Sequence, residues 1–357
     1  MFLQISFVLL LANAVVTEMV DSSSVILVVG DGDLPPTIPE TVSALHDAIT
    51  GNSDTIAKKK IVDTFAKASP GEVVAIHQKY ANDYGKGQLI AKLQSKNPDD
   101  FSKIAVALAM TPAKFEAFKI HQSLSREKFF GSKTGKTGVK LVFEALLLKS
   151  NAEIDLIKQE YNKGTNNQLV KVVSDKILKS PSGDLGLLVN GMVTITREGN
   201  SQVNDADVIA DIAKIYKSGE LQFITDKKQL IQIMNTRSFS HLQSIISRYK
   251  EVTQGEKNFF KMIKSEFTGD LEAILSDYAL AITNRPIYVS QQITKAFTSL
   301  GFRSEELTSY IVRNREASLM AKVKARFLER NKHTLEEVIK LNIFNYDFQN
   351  ILLAIIA

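Results

Sequence analysis

An internal period constrains this chain more than any other feature. Beyond Pro39, apolar residues recur three and four apart, as in Leu242, Ile245, Ile246 and Tyr249 or Leu319, Val323 and Phe327. That spacing is the stripe of an amphipathic helix, and strand-like alternation is rare. Aligning the chain on itself brings Tyr80, Tyr161, Tyr249 and Phe327 into register, spaced 81, 88 and 78 residues apart. Each stands near the end of an expected helix that begins at a Ser, Thr or Asn turn. A second turn follows each of them, at Asp99-Asp100-Phe101, Gly183-Asp184-Leu185, Gly269-Asp270-Leu271 and Asn345-Tyr346-Asp347-Phe348. Such a turn sets an N-cap and a carboxylate at the positive end of a helix dipole, so capping alone accounts for its residues. The 357 residues are therefore expected to form a helical array rather than two or three unrelated domains.

Composition removes several classes. Hydrophobic residues make up 44% and charged residues 23%, values of a soluble globular chain and not of a disordered or collagen-like one. With no cysteine, disulfide frameworks, zinc fingers, iron–sulfur clusters and thiol catalysis are excluded. The net charge of +5 implies mild attraction to anionic surfaces such as membranes or acidic protein tails. Nucleic acid is not an expected partner, because the lysines are scattered, tryptophan is absent and no recognition motif is found.

Residues 1–39 are expected to lie outside the main fold. Met1 to Val16 form an apolar run without Lys or Arg, shorter than the roughly 20 residues of a membrane span. Ala12-Asn13-Ala14 has the small-x-small form of a cleavage site, although the basic region of a signal peptide is missing. A signal peptide cleaved after residue 14, a docking tail and an unstructured start all remain open. The first implies secretion; the others imply a cytoplasmic protein.

Three stretches carry a more specific signal: Lys217-Ser218-Gly219-Glu220-Leu221-Gln222-Phe223-Ile224-Thr225-Asp226, Asn235-Thr236-Arg237-Ser238-Phe239-Ser240-His241-Leu242, and Ile263-Lys264-Ser265-Glu266-Phe267-Thr268-Gly269-Asp270-Leu271-Glu272. Together they resemble the third repeat of an annexin nearly end to end. Leu300-Gly301, Ile311 to Glu316, Val338-Ile339-Lys340 and Asp347 to Leu353 resemble the fourth. Repeats one and two match weakly. The lack of cysteine and the eroded loops look most like the alpha-giardins, the annexins of diplomonad protists.

The resemblance implies an all-α fold: four five-helix repeats in a slightly curved disc, with an N-terminal extension over residues 1–39. The repeats are expected over 40–110, 111–200, 201–284 and 285–357. It also implies a non-enzymatic protein that binds Ca2+ on its convex face and, through it, anionic phospholipid membranes. Annexin sites combine loop carbonyls from the start of a repeat with a carboxylate from late in it, hard oxygen donors of the kind Ca2+ requires.

In repeat three the matching ligands are the carbonyls of Gly219, Gln222 and Ile224, with Glu266 as the carboxylate. Ile224 replaces a family glycine, and a β-branched residue tolerates positive φ poorly, which predicts a weakened site or a reshaped loop. In repeat four Phe297, Ser299 and Gly301 match the carbonyls and Asn342 the cap, a neutral and weaker ligand. Repeats one and two place Lys96 and Ser180 at the cap, so sites of this type are expected to be lost there. Phe223, at the tip of the repeat-three loop, is the expected membrane contact.

The second reading is a largely calcium-independent scaffold on microtubules or the wider cytoskeleton, where basic residues meet acidic tubulin tails. Homo-oligomers remain an open partner class. Gly131 to Thr137 approaches a phosphate-binding loop but has the wrong glycine spacing. The five histidines lack metal spacing. The annexin resemblance implies that Arg237 and Arg315, which match arginines near the end of a repeat's second helix, hold neighbouring helix carbonyls or carboxylates.

Overall fold

A computed structural model describes residues 37–94, 99–125, 138–178, 183–199, 202–219, 227–255, 257–298 and 301–357. Its helices fall into four successive sets of five. The first set is α1 (Thr37–Thr50), α2 (Asp54–Phe65), α3 (Pro70–Tyr84), α4 (Gln88–Leu93) and α5 (Asp100–Ala109). The second is α6 (Pro112–Ser125), α7 (Gly138–Leu146), α8 (Asn151–Thr165), α9 (Leu169–Val173, continued by a π turn over Ser174–Leu178) and α10 (Gly183–Thr194). The third is α11 (Asp205–Gly219), α12 (Lys227–Thr236), α13 (Phe239–Thr253), α14 (Phe259–Glu266) and α15 (Gly269–Thr283). The fourth is α16 (Arg285–Ala296), α17 (Ser304–Arg313), α18 (Ala317–Asn331), α19 (Leu335–Asn342) and α20 (Tyr346–Ile356).

The third helix has 15 residues in every set. Each is started by a side chain that accepts a backbone N–H of its first turn: Ser69, Ser150, Ser238 and Glu316. Ser69 and Ser150 complete capping boxes with Glu72 and Glu153. Tyr80, Tyr161, Tyr249 and Phe327 each stand ten positions after the first residue of that helix and are buried. The register read from the sequence is thus kept in three dimensions. Among the fifth-helix turns, Asp99 and Asn345 cap with their side chains, whereas Thr268 makes no side-chain cap bond.

Helix α1 starts at Thr37, so Pro39 lies inside its first turn rather than ahead of it. A proline there costs no hydrogen bond, since the first turn has no intrahelical acceptors for its N–H groups. Ile38 is buried with Val42 and Leu45, and the helical array begins slightly before residue 40.

The chain divides into two compact units. One comprises residues 1–115 and 289–357, which unites the first and last sets. Within it Lys58 Nζ lies 2.7 Å from Asp347 Oδ2, and Ser304 donates to Asp100 across 2.8 Å. Phe302 stacks on the buried Phe348, with centroids 5.9 Å apart. The other unit, 116–288, holds the middle sets. There the Arg197 guanidinium donates to the carbonyls of Met234 and Arg237 and to the Tyr278 hydroxyl, and Phe143 meets the Tyr278 ring edge-on.

Candidate metal centre

In the third set, Gly219 ends α11 and Glu266 ends α14. Gln222, Ile224 and Phe223 lie outside the described residues, so Glu266 is the expected ligand whose side chain can be placed. Its position suits a cation on two counts. The carboxylate is negative, and the C-terminal end of a helix carries partial negative charge from its unpaired carbonyls. Glu266 Oε1 accepts from the Ser265 hydroxyl at 3.2 Å, and Lys257 Nζ sits 3.8 Å away, also donating to Ser265 Oγ at 3.1 Å. An ammonium therefore already occupies the field of this carboxylate. A hard cation would meet the same negative charge, and Lys257 would compete with it there. Sequence reasoning does not single out Lys257, which stands just before α14 and whose side chain reaches Ser265 and Glu266 near the end of that helix.

Among the described residues no group of three or more His, Asp or Glu is placed to hold a metal ion. One carboxylate with backbone carbonyls does not require such a group.

In the fourth set the expected ligands take a different form. Phe297 and Thr298 (β1) pair antiparallel with Gly301 and Phe302 (β2), and Gly301 has φ +121°, open to glycine but strained for other residues. Ser299 lies outside the described residues. Asn342 ends α19 and donates its amide N–H2 to Val338 O at 2.8 Å, so this amide is turned back along its own helix. In the first set a short connection, Gly51 to Ser53, joins α1 to α2, and Ser53 caps α2. Lys96, Ser180 and the glycine-rich segment 131–137 lie outside the described residues.

The two singled-out arginines differ. Arg237 fulfils the expected role: its guanidinium donates to the buried Asp211 at 2.5 Å and to Glu198 at 2.8 Å. Lys214 and His241 also reach Asp211, at 3.0 and 3.1 Å. Burial pushes the Asp211 carboxyl up, but hydrogen bonds from Arg237 and Lys214 outweigh it and hold the group below its usual range. Arg315 departs from expectation. Its Nη1 is buried with no hydrogen-bond partner, and burial lowers the affinity of the guanidinium for its proton. The histidines have ordinary contacts, as in His46 Nδ1 to the Tyr80 hydroxyl at 2.8 Å and His333 beside Glu337.

The four-by-five helical array is an all-α repeat architecture, and comparison with known proteins finds the same fold. A sequence profile described as annexin matches residues 211–277, the heart of the third set. Annexin A7 of Dictyostelium discoideum is 26% identical over 297 residues, 83% of this chain and 60% of that protein. Annexin A1 of Bos taurus is 26% identical over 314 residues, 88% of this chain and 85% of the other. Among solved structures, annexin III superposes with a TM-score of 0.77 at 22% identity, covering 90% of this chain and 95% of that one. Calcium-bound alpha-14 giardin does so with a TM-score of 0.69 at 16% identity, covering 89% and 98%. At such identities the structural likeness speaks for the fold, which alpha-giardins share with other annexins. The annexin profile covers residues 211–277, and the chain is similar to annexins over most of its length. It spans about 60% of the Dictyostelium relative's length. Among the described residues no helix is long and apolar enough to cross a membrane.

Proposed function

We propose that this protein binds anionic phospholipid membranes peripherally and in a calcium-dependent manner, without enzymatic activity. Annexins as a family generally act in this way. The observation that carries the reading here is Glu266, a carboxylate at the C-terminal end of α14, inside the segment matched by the family profile and already paired with a cation. Glu266 would hold Ca2+ together with the carbonyls of Gly219, Gln222 and Ile224. Such an ion would supply positive charge able to attract lipid phosphate oxygens. The chain's own part is to present the carboxylate on a rigid helix end, anchored by the buried Met262, Ile263 and Phe267. The fourth set, with Phe297, Ser299, Gly301 and the neutral Asn342, contributes a weaker second site. Phe223 is proposed to touch lipid beside the first.

Pelleting with phosphatidylserine/phosphatidylcholine vesicles, in calcium or chelator, tests the reading. Binding is expected in calcium with the anionic lipid, and Glu266→Gln should lose most of it. Equal pelleting in every condition, or an unaffected Glu266→Gln protein, would overturn the mechanism.

A second reading is a calcium-independent cytoskeletal scaffold, and the inward turn of the Asn342 amide and the cation at Glu266 favour it. Co-pelleting with microtubules in chelator supports that reading; vesicle binding without microtubule binding removes it. A cytoplasmic, peripheral location accompanies either one.

A further inference from the structure

Large hydrophobic side chains exposed to solvent are not evenly spread over the described residues. Ile56 is 62% exposed, Leu341 67%, Tyr346 76% and Phe344 83%, and no other large hydrophobic among the described residues exceeds 45%. All four belong to the unit that joins the first and last sets. Ile56 and Tyr346 lie in the first turns of α2 and α20, which Lys58 ties together by reaching Asp54 and Asp347, each at 2.7 Å. Leu341 lies in the last turn of α19, and Phe344 in the turn that leads into α20.

This turn differs from its counterpart in the third set. There two residues, Phe267 and Thr268, separate α14 from α15; here three, Ile343, Phe344 and Asn345, separate α19 from α20. The buried Ile343 corresponds to the buried Phe267, so Phe344 is the extra residue. Where the third set carries Glu266, the fourth carries Asn342. The turn loses a carboxylate and gains an outward aromatic. Its backbone is fixed, with Gln349 donating to Ile343 O at 2.7 Å and Asn345 accepting from Phe348 N at 3.0 Å. These bonds hold the backbone in the position that leaves Phe344 exposed.

We propose that Leu341, Phe344, Tyr346 and Ile56 form a wedge that enters the interfacial layer of a phospholipid bilayer directly, with no metal ion at this turn. The inference rests on the membrane part of the function proposed above. Size favours lipid over a protein partner: the exposed surface of four such side chains comes to about 500 Å², short of the roughly 800 Å² each partner buries in a stable protein interface. Shape agrees, since side chains this exposed protrude, and a protrusion suits a soft surface more than it suits a preformed groove. Chemistry agrees as well. Phe and Leu supply the apolar tip, Tyr346 and the stem of the exposed Lys340 suit the headgroup boundary, and both carboxylates at the base are paired with Lys58.

The chain contains no tryptophan, so Phe344→Trp in the full protein creates a single fluorescent reporter at the tip. With phosphatidylcholine vesicles in chelator, the emission of this indole should shift to the blue and be quenched by lipids brominated near the headgroup. The same should hold when Glu266→Gln is added. Replacing Leu341, Phe344 and Tyr346 by serine should weaken this calcium-free partitioning about tenfold, with helical circular dichroism retained. If the protein pellets with anionic vesicles through Glu266 while the indole stays unquenched, the wedge is overturned and the calcium reading survives. If the indole is quenched but Glu266→Gln changes nothing in calcium, the calcium reading falls and the wedge stands. Self-association that the serine substitutions abolish, with the reporter unquenched by lipid, would assign the patch to a second copy of the chain and overturn the proposal.

Discussion

Glu266 holds its charge where a helix end is already negative, and Lys257 at 3.8 Å relieves that crowding. Any metal ion that approaches must compete with the lysine. Lys257→Met should therefore lower the calcium concentration for half-maximal vesicle binding by about two- to fivefold, the scale of an exposed ion pair. A calcium titration of vesicle pelleting reads this directly, and an unchanged midpoint would separate Lys257 from the site. Asp211 presents the opposite arrangement, a buried carboxylate surrounded by Arg237, Lys214 and His241. Asp211→Asn should cost about 2–4 kcal/mol, because Arg237 and its neighbours lose the charge they are folded around. Since the native carboxyl is held below its ordinary value, its contribution is complete above about pH 4 and disappears as pH falls through the lowered native value. Urea melts of wild type and Asp211→Asn between neutral and acid pH should converge as the carboxylate is protonated.

Helices are the most legible level of this structure. Tyr80, Tyr161, Tyr249 and Phe327 align from sequence because each fills the same core position of a 15-residue helix, and core positions tolerate little variation in size. Turns are less legible. The outward set of Phe344 depends on how Gln349 and Asn345 hold the backbone, and Lys257 reaches Glu266 from just before α14; neither arrangement has a periodic signature. The contact between α10 and α12 is equally hidden. A Cβ at Gly191 would lie 2.0 Å from Asn235 Nδ2, so the two helices approach across a position that admits only hydrogen. Gly191→Ala should force them apart and destabilise the protein by about 1–3 kcal/mol, despite alanine's better helix propensity. Thermal denaturation followed by circular dichroism would detect it, and a raised melting temperature would refute the packing argument.

At the scale of the whole molecule, the repeat period leads to the right architecture, whereas the pairing of sets into units leaves no trace in sequence. Nothing in Lys58 or Asp347 announces a partner 289 residues away. The unit over 116–288 is continuous in sequence, so a fragment from Thr111 to Asn284 should fold alone, with helical circular dichroism and a cooperative melt. A fragment ending at Thr111 should not, because the surfaces of α2 and α5 that receive Ser304 and Asp347 would face water. A cooperative melt from the shorter fragment would contradict this division.

The tie between Lys58 and Asp347 also imposes an order in time. During synthesis the middle unit is complete once its last helix leaves the ribosome, whereas the first set must wait for the final helix before its charges and apolar faces are covered. Until then α1 to α5 form an unfinished half, exposed for as long as the rest of the chain takes to be made. Closing the first set against the last joins residues 289 positions apart in sequence, a non-local contact of the kind that slows folding.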